Sequence, residues 1–119
     1  PAHVKLPMLY KFKSRSTADL ILLEPQGRRL LQIIGKEPAA RGIVTAAQIP
    51  AAISALEAAV AAEEQRIAQA RADREAEGLS AEGEEDAQSD AVRLRQRAAP
   101  FIEMLRRSAA EDNDVVWGA

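Results

Sequence analysis

Five arginines, Arg93, Arg95, Arg97, Arg106 and Arg107, crowd the last third of this 119-residue chain. They form its densest set of side chains with a chemistry of their own. Guanidinium groups strung along one segment can meet phosphates, the electrostatic footprint of nucleic-acid binding. They can equally pair with carboxylates nearby in sequence, Glu75, Glu77, Glu84 and Glu85, at roughly a few tenths of a kcal/mol each. The formal net charge of −2 and an aromatic content of 3% supply neither a broad basic field nor a stacking platform, and so favour the second use. Arg28 and Arg29, and Lys11 and Lys13 beside Tyr10, are smaller basic groups open to the same two readings. The candidate surface for a partner or a nucleic acid is therefore Arg93, Arg97, Arg106 and Arg107, joined by Trp117, the one tryptophan.

Most catalytic chemistry lacks its residues here. With no Cys, disulfides, thiolate metal sites and a thiol nucleophile are excluded. The single His is His3, so the fold has no histidine base and no His-metal constellation. Gly35-Lys36 has neither the first glycine nor the following Ser or Thr of a phosphate-binding loop. Glu82, Glu84, Glu85 and Asp86 lack the alternation of a calcium loop and read as a solvated acidic stretch. We expect no catalytic, cofactor-binding or metal-binding residues, and a protein that is not an enzyme. No apolar run reaches the ~18 residues of a membrane helix, and no signal peptide is apparent, so no membrane partner is expected.

The elements that must position these groups follow from hydrophobic spacing. Ile49, Ile53, Leu56, Val60 and Ile67 draw one narrow stripe down a long Ala-rich helix over 49–76, the element the rest must cover. Thr45 and Gln48 resemble a capping box. Pro50 leaves two starts open, a helix from 46 or a separate turn followed by a helix. A second stripe, Leu94, Ala98, Phe101, Ile102, Leu105 and Ala109, predicts a helix over 90–110 with the arginines outward and a kink at Pro100, which removes the backbone hydrogen bond to Gln96. Residues 25–34 read as a shorter helix. Leu30, Leu31, Ile33 and Ile34 turn inward and Arg28, Arg29 and Gln32 outward; Gly35 and Pro38 end it.

Residues 8–14 alternate as a strand, with Tyr10 and Phe12 on one face and Lys11 and Lys13 on the other. Residues 19–23 read as its hairpin partner; the competing reading makes 17–23 a helix capped through Ser16 and Asp19. Gly42-Ile43-Val44 reads as an apolar link. Residues 77–89, acidic with Gly78 and Gly83, read as a flexible linker. Residues 1–7 read as a leader foreign to the fold, or alternatively a docking peptide, leaving 8–118 as one domain. The fold class is thus α+β: a small antiparallel sheet of 8–14, 19–23 and 115–117 against three helices, the central one long. Val115 and Trp117 share one strand face. There the indole either anchors the end of the chain in the core or stands exposed as a partner contact.

The ordered set MLYKFKS, DLILLEPQGRRLLQIIGK, GIVTAAQIPAAISALEAAV and LRQRAAPFIEMLRRSAAEDNDVVWG resembles a small proteobacterial family, a domain of unknown function numbered eighteen-forty in its series. The resemblance covers about 8–118 and implies a bacterial cytoplasmic protein with no assigned activity and no transferable catalytic residues. Two functions remain. The first is a non-enzymatic interaction or assembly protein, with a protein partner or as a homo-oligomer, motivated by the narrow stripe of the long helix. The alternative is a nucleic-acid-associated regulator working through the arginine-rich helix.

Overall fold

The computed structural model describes residues 9–78 and 84–118, the side chains of 84–92 excepted. Strands β1 (Leu9–Ser14) and β2 (Thr17–Leu23) form a hairpin, followed by helix α1 (Glu24–Ile33), strand β3 (Gly42–Val44), the long helices α2 (Ile49–Ala76) and α3 (Glu84–Ala110), and strand β4 (Val115–Trp117). All strand pairs are antiparallel, in the order β2-β1-β4-β3. The α+β class and the long central helix are as expected.

The sheet is covered on one face only. Tyr10, Phe12, Val44, Val115 and Trp117 point from it into the same core as Leu30, Leu31, Leu56, Val60, Phe101 and Leu105 of the helices. The stripe of α2 is spent inside the chain: Ile49, Leu56, Val60 and Ile67 are buried, Ile53 partly, and α2 packs chiefly on α3. Its narrowness, which motivated assembly between chains, is thus satisfied by α3 itself. The arginine-bearing helix behaves likewise. Leu94, Ala98, Phe101, Ile102 and Leu105 are buried, and the helix runs on through Pro100.

Local stops follow backbone chemistry. At the end of α1 the Gly35 N–H donates to the Gln32 carbonyl at 3.1 Å and the Lys36 N–H to the Leu31 carbonyl at 2.8 Å, with Gly35 at φ +81°. This pair of bonds closes a helix through a left-handed residue. At the end of α3 Asp112 holds the equivalent place at φ 56°, while Asn113 N–H reaches the Ser108 carbonyl at 2.8 Å. Residues 46–48 form a turn and α2 starts at Ile49 with Pro50 in its first turn. Gln48 Oε1 accepts from the Thr45 N–H at 3.1 Å, which is half of the expected box.

The hairpin strand expected over 19–23 is present and begins at Thr17, paired along β1 from Ser14↔Thr17 to Leu9↔Leu23, so the competing reading of a capped helix falls. Two sequence expectations need correction. Gly42–Val44 is a strand rather than a link, since β4 supplies its hydrogen bonds through Ile43↔Val116. Helix α3 begins at Glu84, before the expected 90. Acidic residues suit the positive end of a helix as well as they suit water, so Glu84, Glu85 and Asp86 did not mark a linker. Residues 79–83 of the expected linker, and residues 1–7, lie outside the described residues.

Candidate docking surface

The arginines stand on the helical side, exposed, but not as a positive field. Arg95 makes a two-pronged contact across to α2, with Nε 2.7 Å and Nη2 2.6 Å from the two carboxylate oxygens of Glu64. Arg106 reaches Glu57, also on α2, at 2.7 Å. Arg107 lies 3.7 Å from Glu103 one turn back, and Arg66 bonds Glu63 at 2.6 Å. Hydrogen bonding from Arg95, opposed by slight desolvation, holds the Glu64 carboxyl below its ordinary range and raises Arg95 in return; Arg66 acts on Glu63 in the same way. Arg93 and Arg97 are exposed on α3. Pairing with carboxylates therefore occurs, across to α2 through Glu57 and Glu64 and within α3 through Glu103. For Arg95 and Arg106 it is helix-to-helix register, and not sequence proximity, that decides the partner.

Trp117 leaves the candidate surface altogether. It is 3% exposed, its ring centroid lies 5.9 Å from that of Phe12, and its indole N–H donates to the Ala39 carbonyl at 2.9 Å. A Cβ on Gly42 would collide with the ring, so glycine is what lets β3 pass over it. Tyr10 acts in parallel, its hydroxyl donating to the Pro38 carbonyl at 2.9 Å. These two bonds tie the 36–41 segment to the sheet. The anchor reading holds, and the exposed-contact reading of Trp117 does not.

The opposite side of the molecule differs in kind. Alternation puts Leu9, Lys11 and Lys13 of β1 on the outer sheet face, where they stand beside Asp19, Ile21 and Leu23 of β2, Val116 of β4 and Ile43 of β3. Among the described residues Leu9, Ile21, Leu23 and Ile43 are the exposed large hydrophobics, at 49%, 55%, 56% and 41%. Leu9 and Leu23 are cross-strand partners and Ile21 pairs with Lys11, so three of the four form one patch at the β2 edge. Nothing among the described residues covers this face. These residues were missed from sequence, although a signal was present. A strand solvated on one face alternates, whereas Leu20-Ile21-Leu22-Leu23 is apolar on both faces, as strands are when both faces are buried.

Where the β1–β2 turn meets the end of α3, a cleft of about 650 Å³ is lined by Lys13, Arg15, Asp19, Asp112, Asn113 and Asp114 among others. Its walls are cross-braced. Asn113 Nδ2 donates to Ser16 Oγ at 2.9 Å, and Asp114 Oδ1 accepts from the Ala46 N–H at 2.8 Å. Ser108 gives its one hydroxyl proton to the Met104 carbonyl at 2.7 Å, which makes Ser14 the donor in the 2.6 Å Ser14–Ser108 contact. The cleft mixes cations and carboxylates and is open to water. Among the described residues no group of three or more His, Cys, Asp or Glu is placed to hold a metal ion, and no helix is long and apolar enough to cross a membrane.

Fold and surface together define a two-layer α+β domain with three helices on one face of a four-stranded sheet and the other face open. The chain belongs to the family described as domain of unknown function DUF1840, whose family model matches residues 8–117. No curated protein and no solved structure matches it.

Proposed function

We propose that this domain is a non-enzymatic interaction module of the bacterial cytoplasm that docks a protein partner on the open face of its sheet. The observation that carries the reading is the apolar run of β2, which places Ile21 and Leu23 in solvent beside Leu9 while the helical layer is already closed. Large apolar side chains gathered on one face mark a binding surface more often than an idle one. The reading draws further support from the lack of cysteine and of a core histidine, and from Arg95, Arg106 and Arg107 lying against carboxylates, which weighs against the nucleic-acid alternative. The test is affinity capture from a nuclease-treated bacterial lysate, with the native chain beside Leu9→Lys and Leu23→Lys. Both changes fall at half-exposed positions and leave the core alone. Proteins retained by the native chain and lost by both variants support the reading. Capture that vanishes with nuclease, or that the variants do not alter, overturns it.

A further inference from the structure

Granted an apolar docking face, the edge of β2 indicates its occupant. We propose that a second copy of this chain pairs there, β2 against β2 in antiparallel register about a two-fold axis, making one continuous eight-stranded sheet. β2 is the long edge of the sheet, seven residues against three in β3. Its one charge, Asp19, is engaged by Lys11 of β1, and the irregularity in the pairing lies at the turn end; from Leu20 to Leu23 the edge has no proline, no charged side chain and no bulge. Even its inward-facing residues, Leu20 and Leu22, are only partly buried, where Phe12 on the neighbouring strand is fully so. The helical layer stops short of this edge, and a neighbouring copy would extend it.

Charge decides between edge pairing and stacking two open faces. Lys11 and Lys13 stand on that face, Lys11 3.7 Å from Asp19. Stacking would take them out of water, which costs several kcal/mol per ion unless each is fully paired. Edge pairing leaves them solvated. A two-fold axis at Ile21 sets the two Ile21 side chains opposite each other on the outer face. On the inner face it sets each Leu20 against the second copy's Leu22. Antiparallel pairing of identical strands is isologous and closes at two copies. Two strand edges with their flanking side chains bury roughly 1,000 Å² in total, the lower bound for a specific contact, so the dimer is reversible, with a Kd of about micromolar order.

The absence of native cysteine makes the test direct. Ile21→Cys places one thiol from each copy within disulfide reach across the axis, whereas Ile43→Cys, on the same face at the other edge, does not. The purified full chain is measured by sedimentation equilibrium from ~1 to ~200 µM, and each cysteine variant is oxidised in parallel. Three results are expected: an average mass rising from one chain toward two, Ile21→Cys cross-linking at least tenfold faster than Ile43→Cys, and Ile21→Lys monomeric throughout with an unchanged circular dichroism spectrum. A native chain monomeric at every concentration, equal cross-linking rates, or a dimer that survives Ile21→Lys overturns the proposal. A monomeric native chain that still loses its lysate partners on Leu23→Lys assigns the face to a different protein; the docking reading then stands and self-pairing alone falls.

Discussion

Truncating Trp117 to Ala tests whether the end of the chain is a structural pin. The ring is 3% exposed, meets Phe12, and its N–H holds the Ala39 carbonyl at 2.9 Å. Removing a buried indole costs about 3–5 kcal/mol through lost transfer energy and the cavity left behind. The orphaned Ala39 carbonyl adds little, because Ala39 is exposed and water replaces the donor. Against a total stability of about 5–15 kcal/mol this is a large fraction, and for a chain of this length it lowers the melting temperature by about 12–20 °C. Urea unfolding followed by circular dichroism measures it without relying on the deleted fluorophore. In the native protein, Trp117 emission is expected to be blue-shifted and to move red on unfolding. Gly42 supplies a second handle. Gly42→Ala drives a methyl group into the indole and is destabilising in the native background, yet the same change over Trp117→Ala meets empty space. The pair should therefore couple by at least about 1 kcal/mol, the double variant being more stable than the two single costs imply. A Trp117→Ala cost under 1 kcal/mol, or strictly additive costs for the pair, would refute the pin.

Three further outcomes are expected. Asp112→Gly should gain about 0.5–1 kcal/mol in denaturant unfolding, because φ 56° is strained for a residue with a Cβ, and Asp112→Val should lose at least as much. Glu63 and Glu64 have folded-state pKa values below the ordinary 4.5; their contribution is complete above 4.5 and is lost as pH falls through the lower folded values, so melting temperature is flat from pH 7 to 5 and falls below about 4.5. In Glu64→Gln the acid-side fall should be shallower. A short duplex titrated at ~0.15 M salt should bind no tighter than the micromolar non-specific range; nanomolar binding weakened by Arg93→Ala and Arg97→Ala would restore the nucleic-acid alternative.

How much of this was legible from residues alone depends on the range of the forces involved. Both long helices were readable because their stripes repeat locally; Leu56 and Phe101 are buried as their spacing requires. The hairpin strand of Tyr10 and Phe12 was readable from alternation. Gly42–Val44 was not, since three residues carry no period and become a strand only when β4 arrives from the far end of the chain. The start of α3 was obscured because the same carboxylates suit a helix N-terminus and a solvated loop. On the candidate site, sequence named Arg106 and Arg107 as outward-facing, and they are. Arg107 meets Glu103 one turn back, a spacing the sequence shows, but the partner of Arg106 depends on how α2 lies against α3, which no local pattern states. The apolar face was hidden for a different reason. Counting Ile21 and Leu23 as hydrophobic assigns them to a core, and only the one-sided covering of the sheet shows that they have none to enter.

The two sides of the molecule also differ in what a ligand would have to disturb. On the helical side the ion pairs are exposed and screened by water, so breaking Arg95–Glu64 or Arg106–Glu57 is not itself a barrier. The obstacle to phosphate binding is the company the arginines keep. Glu57, Glu63 and Glu64 stand among Arg66, Arg95 and Arg106, and a phosphate admitted to one guanidinium meets the released carboxylate beside it. On the sheet side nothing among the described residues has to be released. A strand laid along β2 finds backbone groups that no described strand pairs, and Ile21 and Leu23 lose contact with water while Lys11 keeps both its solvent and Asp19. Binding at that edge would therefore gain apolar burial and hydrogen bonds with Lys11 and Asp19 still paired, which is why we propose the docking surface on the sheet even though the arginines are the more conspicuous residues in the sequence.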